Sequence, residues 1–238
     1  MREPALRSRQ KLVCRLVAGL VLLVSITPTN GSEWTDIWAL GRAGVRAQEK
    51  KDYENARRNF DAAVQRHPNV AVAYFNRGRF LLSRGQYTLA VKDFDKAVSL
   101  RPTFWTYSYA RGITYSLLGR YDLALADFNR LLSLHPGDDF RARLLNDRAW
   151  ILATCPDARY RNGKQAVDDA KIAVRFAGRY KASYLDTLAA AYAESGDFDS
   201  AVEHQQKAIA AQTKTDRLVN ADGALSAYRQ HRPYRVDR

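Results

Sequence analysis

Five residue types recur along this chain at a fixed interval, and that interval constrains its fold more than any other feature. Gly44, Gly78 and Gly112 are 34 residues apart, as are Tyr53, Tyr87 and Tyr121. Ala56, Ala90 and Ala124, then Phe60, Phe94 and Phe128, and finally Pro68, Pro102 and Pro136 keep the same spacing and register. A period of this length is the mark of a repeat architecture, in which each unit is one supersecondary element that buries its apolar face only by stacking on its neighbours. Within a unit the apolar residues follow helical spacing: Ala90, Phe94 and Ala97 share one face of a 3.6-residue helix. Gly85, Gly119 and Gly196 stand where a left-handed residue would end one helix and turn the chain into the next. The prolines fall just past the second helix and stop its growth. Small residues therefore belong where two helices approach, and Tyr87 and Phe94 fill the space beside them.

With these ladders in place, the chain resembles the tetratricopeptide repeat, with its 34-residue period and W-x2-L-G-x2-Y…A-x3-F…P pattern. The resemblance implies an all-α solenoid of about five helical hairpins with a C-terminal capping helix. Repeats run 37–70, 71–104 and 105–138, followed by two of shifted register at 142–178 and 182–215. The tryptophan place holds Leu40, Tyr74 and Ser108, and the leucine place holds Ala43, Arg77 and Arg111, substitutions of the first helix that the family tolerates. In the fourth unit Ala149 takes the glycine place, Cys155 to Gly163 lengthens the connection, and alanine replaces the phenylalanine. The run from Trp150 through Cys155-Pro156-Asp157 to Tyr184-Leu185-Asp186 is similar to a paired module of many bacterial repeat proteins. A final helix is expected over Asp216–Gln230, interrupted near Asp222-Gly223, with Leu218, Leu225 and Tyr228 facing the stack. Residues 216–238 then form a cap and basic tail over a solenoid spanning 32–215.

The first 31 residues read differently. Arg2, Arg7, Arg9, Lys11 and Arg15 precede an apolar run from Leu16 to Ile26 and a turn-prone stretch ending at Gly31. That order is the order of a secretory signal, and the run is shorter than the ~20 apolar residues of a membrane-spanning helix. Export to the periplasm or beyond is one expectation; retention as an inner-membrane anchor is the other. Of the net charge of +13, residues 32–238 keep +9, spread along the repeats as a solvated face. A basic surface attracts polyanions, so contact with anionic lipid or cell-wall material is the alternative role to protein binding. No helix dense in Arg and Asn is present to read nucleic acid, and none is expected as a partner. Cys14 lies in the leader, which leaves Cys155 without an internal disulfide partner.

Chemistry has little to work with. No His-Glu-x-x-His, Cys-x-x-Cys or glycine-rich phosphate loop occurs, so neither cofactor nor metal is expected, nor a small-molecule substrate. His67 and His135 share one repeat position beside a proline and belong to the architecture. Cys155 is the one nucleophile to consider, and it reads as a small apolar residue ending a helix. Asp157 and Asp186 read as a helix-start and a surface acid. The expected role is a non-catalytic scaffold that binds a protein or peptide. By the family resemblance, first-helix positions 2, 5, 9 and 12 line the concave groove. These include Trp38, Phe75, Arg79, Tyr109 and Ile113, then Asn146 and Trp150 in the fourth unit and Asp186 in the fifth. For each of them, packing between repeats is the competing role. The family's clamp for chaperone C-termini matches only at Asn76, so such a ligand is not expected.

Overall fold

The computed structural model describes residues 31–236. The leader assigned to residues 1–31 lies outside them except for Gly31, where the first helix begins. The described residues hold eleven α-helices and no strand, and they divide into two compact units, 31–118 and 119–236. No helix among them is long and apolar enough to cross a membrane.

The first unit contains α1 (Gly31–Glu49), α2 (Tyr53–Arg66), α3 (Ala71–Ser83), α4 (Tyr87–Leu100) and α5 (Trp105–Leu117). Its hairpins are organised around one close approach. Phe94 is fully buried on α4, and a Cβ added to Gly78 of α3 would lie 2.7 Å from its ring. Gly44 of α1 meets Phe60 of α2 in the same way, also at 2.7 Å. Ala56, Ala90 and Ala97 have no exposed surface and let the paired helices come together. Between repeats, Phe60 packs on Phe80 with ring centroids 5.4 Å apart, and Arg84 lies 3.9 Å above the Tyr53 ring.

The turn between α3 and α4 uses Gly85 at φ 73° as the ladder predicts. In the first hairpin Lys51 adopts φ 62° at the equivalent position, so the turn is kept there without its glycine. Asp52 makes that turn firm by accepting a hydrogen bond from the Asn55 N–H at 3.1 Å, capping α2.

Arg77 is more than a tolerated substitution. Its guanidinium donates to both oxygens of buried Asp93 at 2.8 and 2.7 Å and reaches Asp61 at 3.1 Å. Those carboxylates hold its pKa above the ordinary arginine value, against the opposing effect of burial. The second unit repeats this lock: Arg148 donates to both oxygens of Asp169 at 2.7 and 2.8 Å and to Asn129 at 2.7 Å. Bidentate geometry of this kind binds two helices in one register.

The second unit contains α6 (Tyr121–Ser133), α7 (Asp138–Thr154), α8 (Gly163–Arg175), α9 (Lys181–Ser195), α10 (Phe198–Ala210) and α11 (Ala221–Arg229), with 3-10 turns at Ala158–Tyr160 and Gly178–Tyr180. The long connection after Cys155 is an ordered structure. Asp157 caps the first 3-10 turn through the Arg159 N–H at 3.0 Å, and Asn162 caps α8 through the Gln165 N–H at 3.1 Å. Gly163 is required by packing, because a Cβ there would lie 2.6 Å from the Ser195 nitrogen at the end of α9.

The expected terminal helix is corrected at its start. Asp216 is not its first residue: with 1% of its surface exposed, it accepts from the Ala182 N–H at 2.8 Å, the Ser183 N–H at 3.2 Å and the Ser183 hydroxyl. It caps α9 from outside that helix, where the first N–H groups have no helical partner. The terminal helix begins at Ala221 after Asn220 in a left-handed conformation, so Asp222 and Gly223 fall in its first turn and interrupt nothing. Tyr228 is buried against the stack as expected, while Leu218 and Leu225 are only partly covered.

The fourth and fifth repeats carry their own form of the helix contact. Ala149 replaces glycine where Ala170 replaces phenylalanine, and Ala189 replaces it where Gln205 does. A methyl group and a phenylalanine ring compete for one space. Replacing Gly78 by alanine in the native background should lower stability by about 1–3 kcal/mol through overpacking. In a Phe94→Ala background the same change should raise stability by up to about 1 kcal/mol, the helix preference of alanine over glycine. Urea unfolding of the four proteins tests this; equal effects in both backgrounds would contradict it.

Candidate functional site

The residues expected to line a groove separate into four groups. In the first unit Phe75 is 6% exposed and lies within the aromatic core, its ring 4.9 Å from Tyr107 and 5.9 Å from Phe94. Tyr109 and Ile113 are 1% and 6% exposed. These three expectations are corrected: family position selects the helix face, but aromatic bulk at these places fills the interior and leaves little surface for a ligand. Burial also raises the Tyr107 pKa to about 12, which keeps the phenol neutral within this cluster.

Trp38 and Arg79 are half-buried on α1 and α3. Arg79 lies with its guanidinium 5.7 Å above the Phe75 ring, and burial lowers its pKa from the ordinary arginine value. The alkyl stem packs while a cationic head lies on an aromatic floor, an arrangement suited to an incoming carboxylate or carbonyl group. Gln48 donates to the Ser83 hydroxyl at 3.3 Å and links the ends of α1 and α3.

Asp186 forms a group of its own. The fifth repeat places Gln205 at the phenylalanine position, fully buried, and the Gln205 side-chain N–H donates to Asp186 at 2.9 Å. Asp186 is partly exposed, like Trp38 and Arg79, and also serves the interior: a buried amide needs an acceptor, and Asp186 supplies it.

Asn146 and Trp150 are half-buried on α7, and the Asn146 amide lies 3.5 Å from the Asp147 carboxylate. Beyond Trp150 the same stripe continues to Ala153 and Thr154 at the end of the helix. Here the structure places residues that the sequence pattern did not single out. The Thr154 carbonyl accepts from the Val236 N–H at 3.2 Å, and the Ala153 carbonyl accepts from the Arg235 guanidinium at 3.3 Å. Arg235 also forms an ion pair with Glu194 of α9 at 2.5 Å. The other Glu194 oxygen accepts from Arg161 at 3.0 Å, and Arg161 in turn donates to the Cys155 and Pro156 carbonyls at 3.0 and 3.2 Å. The one available sequence signal was the spacing of 3 and 4 residues from Trp150.

Cys155 is 1% exposed, so its thiol is packed within the unit and out of solvent contact. Among the described residues, no group of three or more His, Cys, Asp and Glu side chains is placed to hold a metal ion.

Tetratricopeptide-repeat models match residues 42–103 and 81–139, and a further one matches 182–215, which together is more than half of the chain. The chain belongs to the tetratricopeptide-repeat family. The all-α repeat fold that the resemblance implied is thus the fold observed. No curated protein matches the chain. Among solved structures it is similar to MamA from Desulfovibrio magneticus RS-1, with a TM-score of 0.60 at 22% identity, covering 74% of this chain and 94% of that one. YrrB, described as a TPR protein with an unusual peptide-binding site, gives 0.56 at 20% identity over 71% of this chain and 82% of its own. A thermophilic TPR protein of Thermus thermophilus, TTC0263, gives 0.54 at 18% identity over 82% and 99%.

The role assigned to Asp186 is testable by its chemistry. Asp186→Ala should lower stability by about 1–3 kcal/mol, because the Gln205 amide is then buried short of an acceptor. Asp186→Asn keeps a carbonyl oxygen in place and should retain most of the stability. Denaturant unfolding would contradict this role if the two variants were equally destabilised.

Proposed function

We propose that this tetratricopeptide-repeat protein is a non-catalytic adaptor that binds a peptide or helix of a protein partner on the first-helix face of its hairpins. One observation carries this reading: the interior is already filled by the Phe–Gly contacts and aromatic clusters, yet Trp38, Arg79 and Trp150 keep part of their surface exposed on first helices. Tryptophan and arginine are the side chains that most often dominate protein interfaces. The peptide-binding description of YrrB, a protein of similar fold, agrees with it.

The place of action proposed is the bacterial cell envelope, on the basic-then-apolar order of the leader. Protein binding is preferred to the electrostatic surface role because the best-covered arginine pairs of the repeats serve the fold and not a surface field. Arg77, Arg148 and Arg161 are all held by carboxylates within their units.

A photo-crosslinking amino acid placed at Trp38 or Arg79 in the expressing cell tests the proposal. Discrete crosslinked protein bands should form at these positions and not at Leu89 or Phe176, which are exposed at second-helix positions. Bands of equal intensity at all four positions, or none at Trp38 and Arg79, would overturn it.

A further inference from the structure

Residues 233–236, beyond α11, are partly covered and do not run into solvent. Arg232 closes that helix through its N–H to the Ala227 carbonyl at 2.9 Å, and the chain then runs back across the first-helix face of α7 and α9. Tyr234 sets its ring 6.2 Å from that of Trp150 and packs beside the small apolar cluster of Ala189, Ala193, Ala201, Ala224 and Tyr228. Arg235 spans the Ala153 carbonyl and the Glu194 carboxylate, and Val236 donates its N–H to Thr154. The segment thus meets an aromatic wall, two helix-end carbonyls and one acid.

Each element of this surface has a reason to accept a peptide. The last carbonyls of α7 have no partner within the helix and take N–H donors from elsewhere. Glu194 is 13% exposed at its side chain, so the Arg235 pair is formed with much of the water removed. Trp150 is only partly buried and meets the second ring at a tilt of 57°, one of the arrangements aromatic pairs favour. An aromatic residue followed by arginine, in a segment whose next N–H is free to donate, satisfies all three at once.

We propose that Trp150, Ala153, Thr154 and Glu194 form a subsite for a peptide carrying an aromatic–arginine pair, and that Tyr234–Arg235–Val236 occupies it as a resident internal ligand. A partner segment with the same pair binds there by displacing the tail. The proposal rests on the reading that first-helix faces bind peptides, and it adds both the ligand chemistry and a built-in competitor. Because the tail is tethered, its effective concentration at the site is high, and it lowers the apparent affinity of any external segment by the fraction of time the site is closed.

The test uses the full chain and a fluorescein-labelled peptide of residues 230–236, followed by fluorescence anisotropy. The peptide should bind the native protein weakly and bind the Tyr234→Ala/Arg235→Ala protein about tenfold more tightly or better. Adding Glu194→Gln to that open variant should remove most of the gain, and a peptide with glutamate in place of Arg235 should not bind. Circular dichroism establishes that each variant is folded; if the double variant is not, Arg235→Ala alone is titrated in the same way. Equal affinity for native and open proteins, or no binding to a folded open protein, overturns the proposal. The crosslinks at Trp38 and Arg79 would survive that result, whereas failure of the adaptor reading removes those crosslinks and leaves this titration unchanged.

Discussion

The contact between a residue of the first helix and one of the second, sixteen places later, sets the rest of the structure. A phenylalanine ring stands against a glycine that has no room for a methyl group, as at Gly44–Phe60 and Gly78–Phe94. This contact brings the two helices close enough for the alanine ladder to be fully buried, and so determines how far each hairpin can open. The aromatic packing of neighbouring repeats, such as Phe60 on Phe80, follows from that separation. Where phenylalanine is absent, the glycine is absent too: alanine faces alanine in the fourth repeat, and Ala189 with Gln205 stands in the fifth. The two positions behave as one unit of volume, in line with interiors packed at near-crystalline density.

Much of this was legible in the sequence because identical jobs at a fixed spacing leave identical residues. The helices, the turns at Gly85 and Gly119, and the stop at each proline all follow from the ladders. What escaped them was anything done by different residues or at a different spacing. Lys51 takes a left-handed turn without being glycine. Arg77 pairs with Asp93 sixteen residues on, while Arg148 pairs with Asp169 twenty-one residues on, since the longer Cys155–Asn162 connection lies between. No single period joins the two pairs, although they do the same work. Asp216 caps α9 from a position the helical pattern assigned to another element.

The candidate site was legible only as a face. Family position names the stripe of first-helix residues, but burial within that stripe depends on the bulk of its neighbours. Phe75, Tyr109 and Ile113 are drawn into the interior, whereas Trp38, Arg79 and Trp150 keep part of their surface. Asp186 is held by a glutamine whose presence at a phenylalanine position gives no hint of its partner. The contribution of the tail was hidden for a related reason. Arg235 and Glu194 are far apart in the chain, and neither belongs to a ladder.

The geometry around Glu194 bears on whether such a tail can leave. A buried carboxylate that loses its only cation is strongly destabilised, and a site built that way would stay closed. Glu194 has two cations. Arg161, fixed by the Cys155 and Pro156 carbonyls, holds one oxygen, while Arg235 takes the other. When Arg235 departs, the acid keeps a partner that the connection itself positions, and the freed carbonyls of Ala153 and Thr154 are helix-end groups ready to accept from an incoming backbone or side-chain donor. The long fourth-repeat connection, which first reads as a departure from the pattern, thereby makes the site tolerant of exchange. A repeat with the short turn of its neighbours would have no Arg161 there, and its acid would be committed to a single occupant.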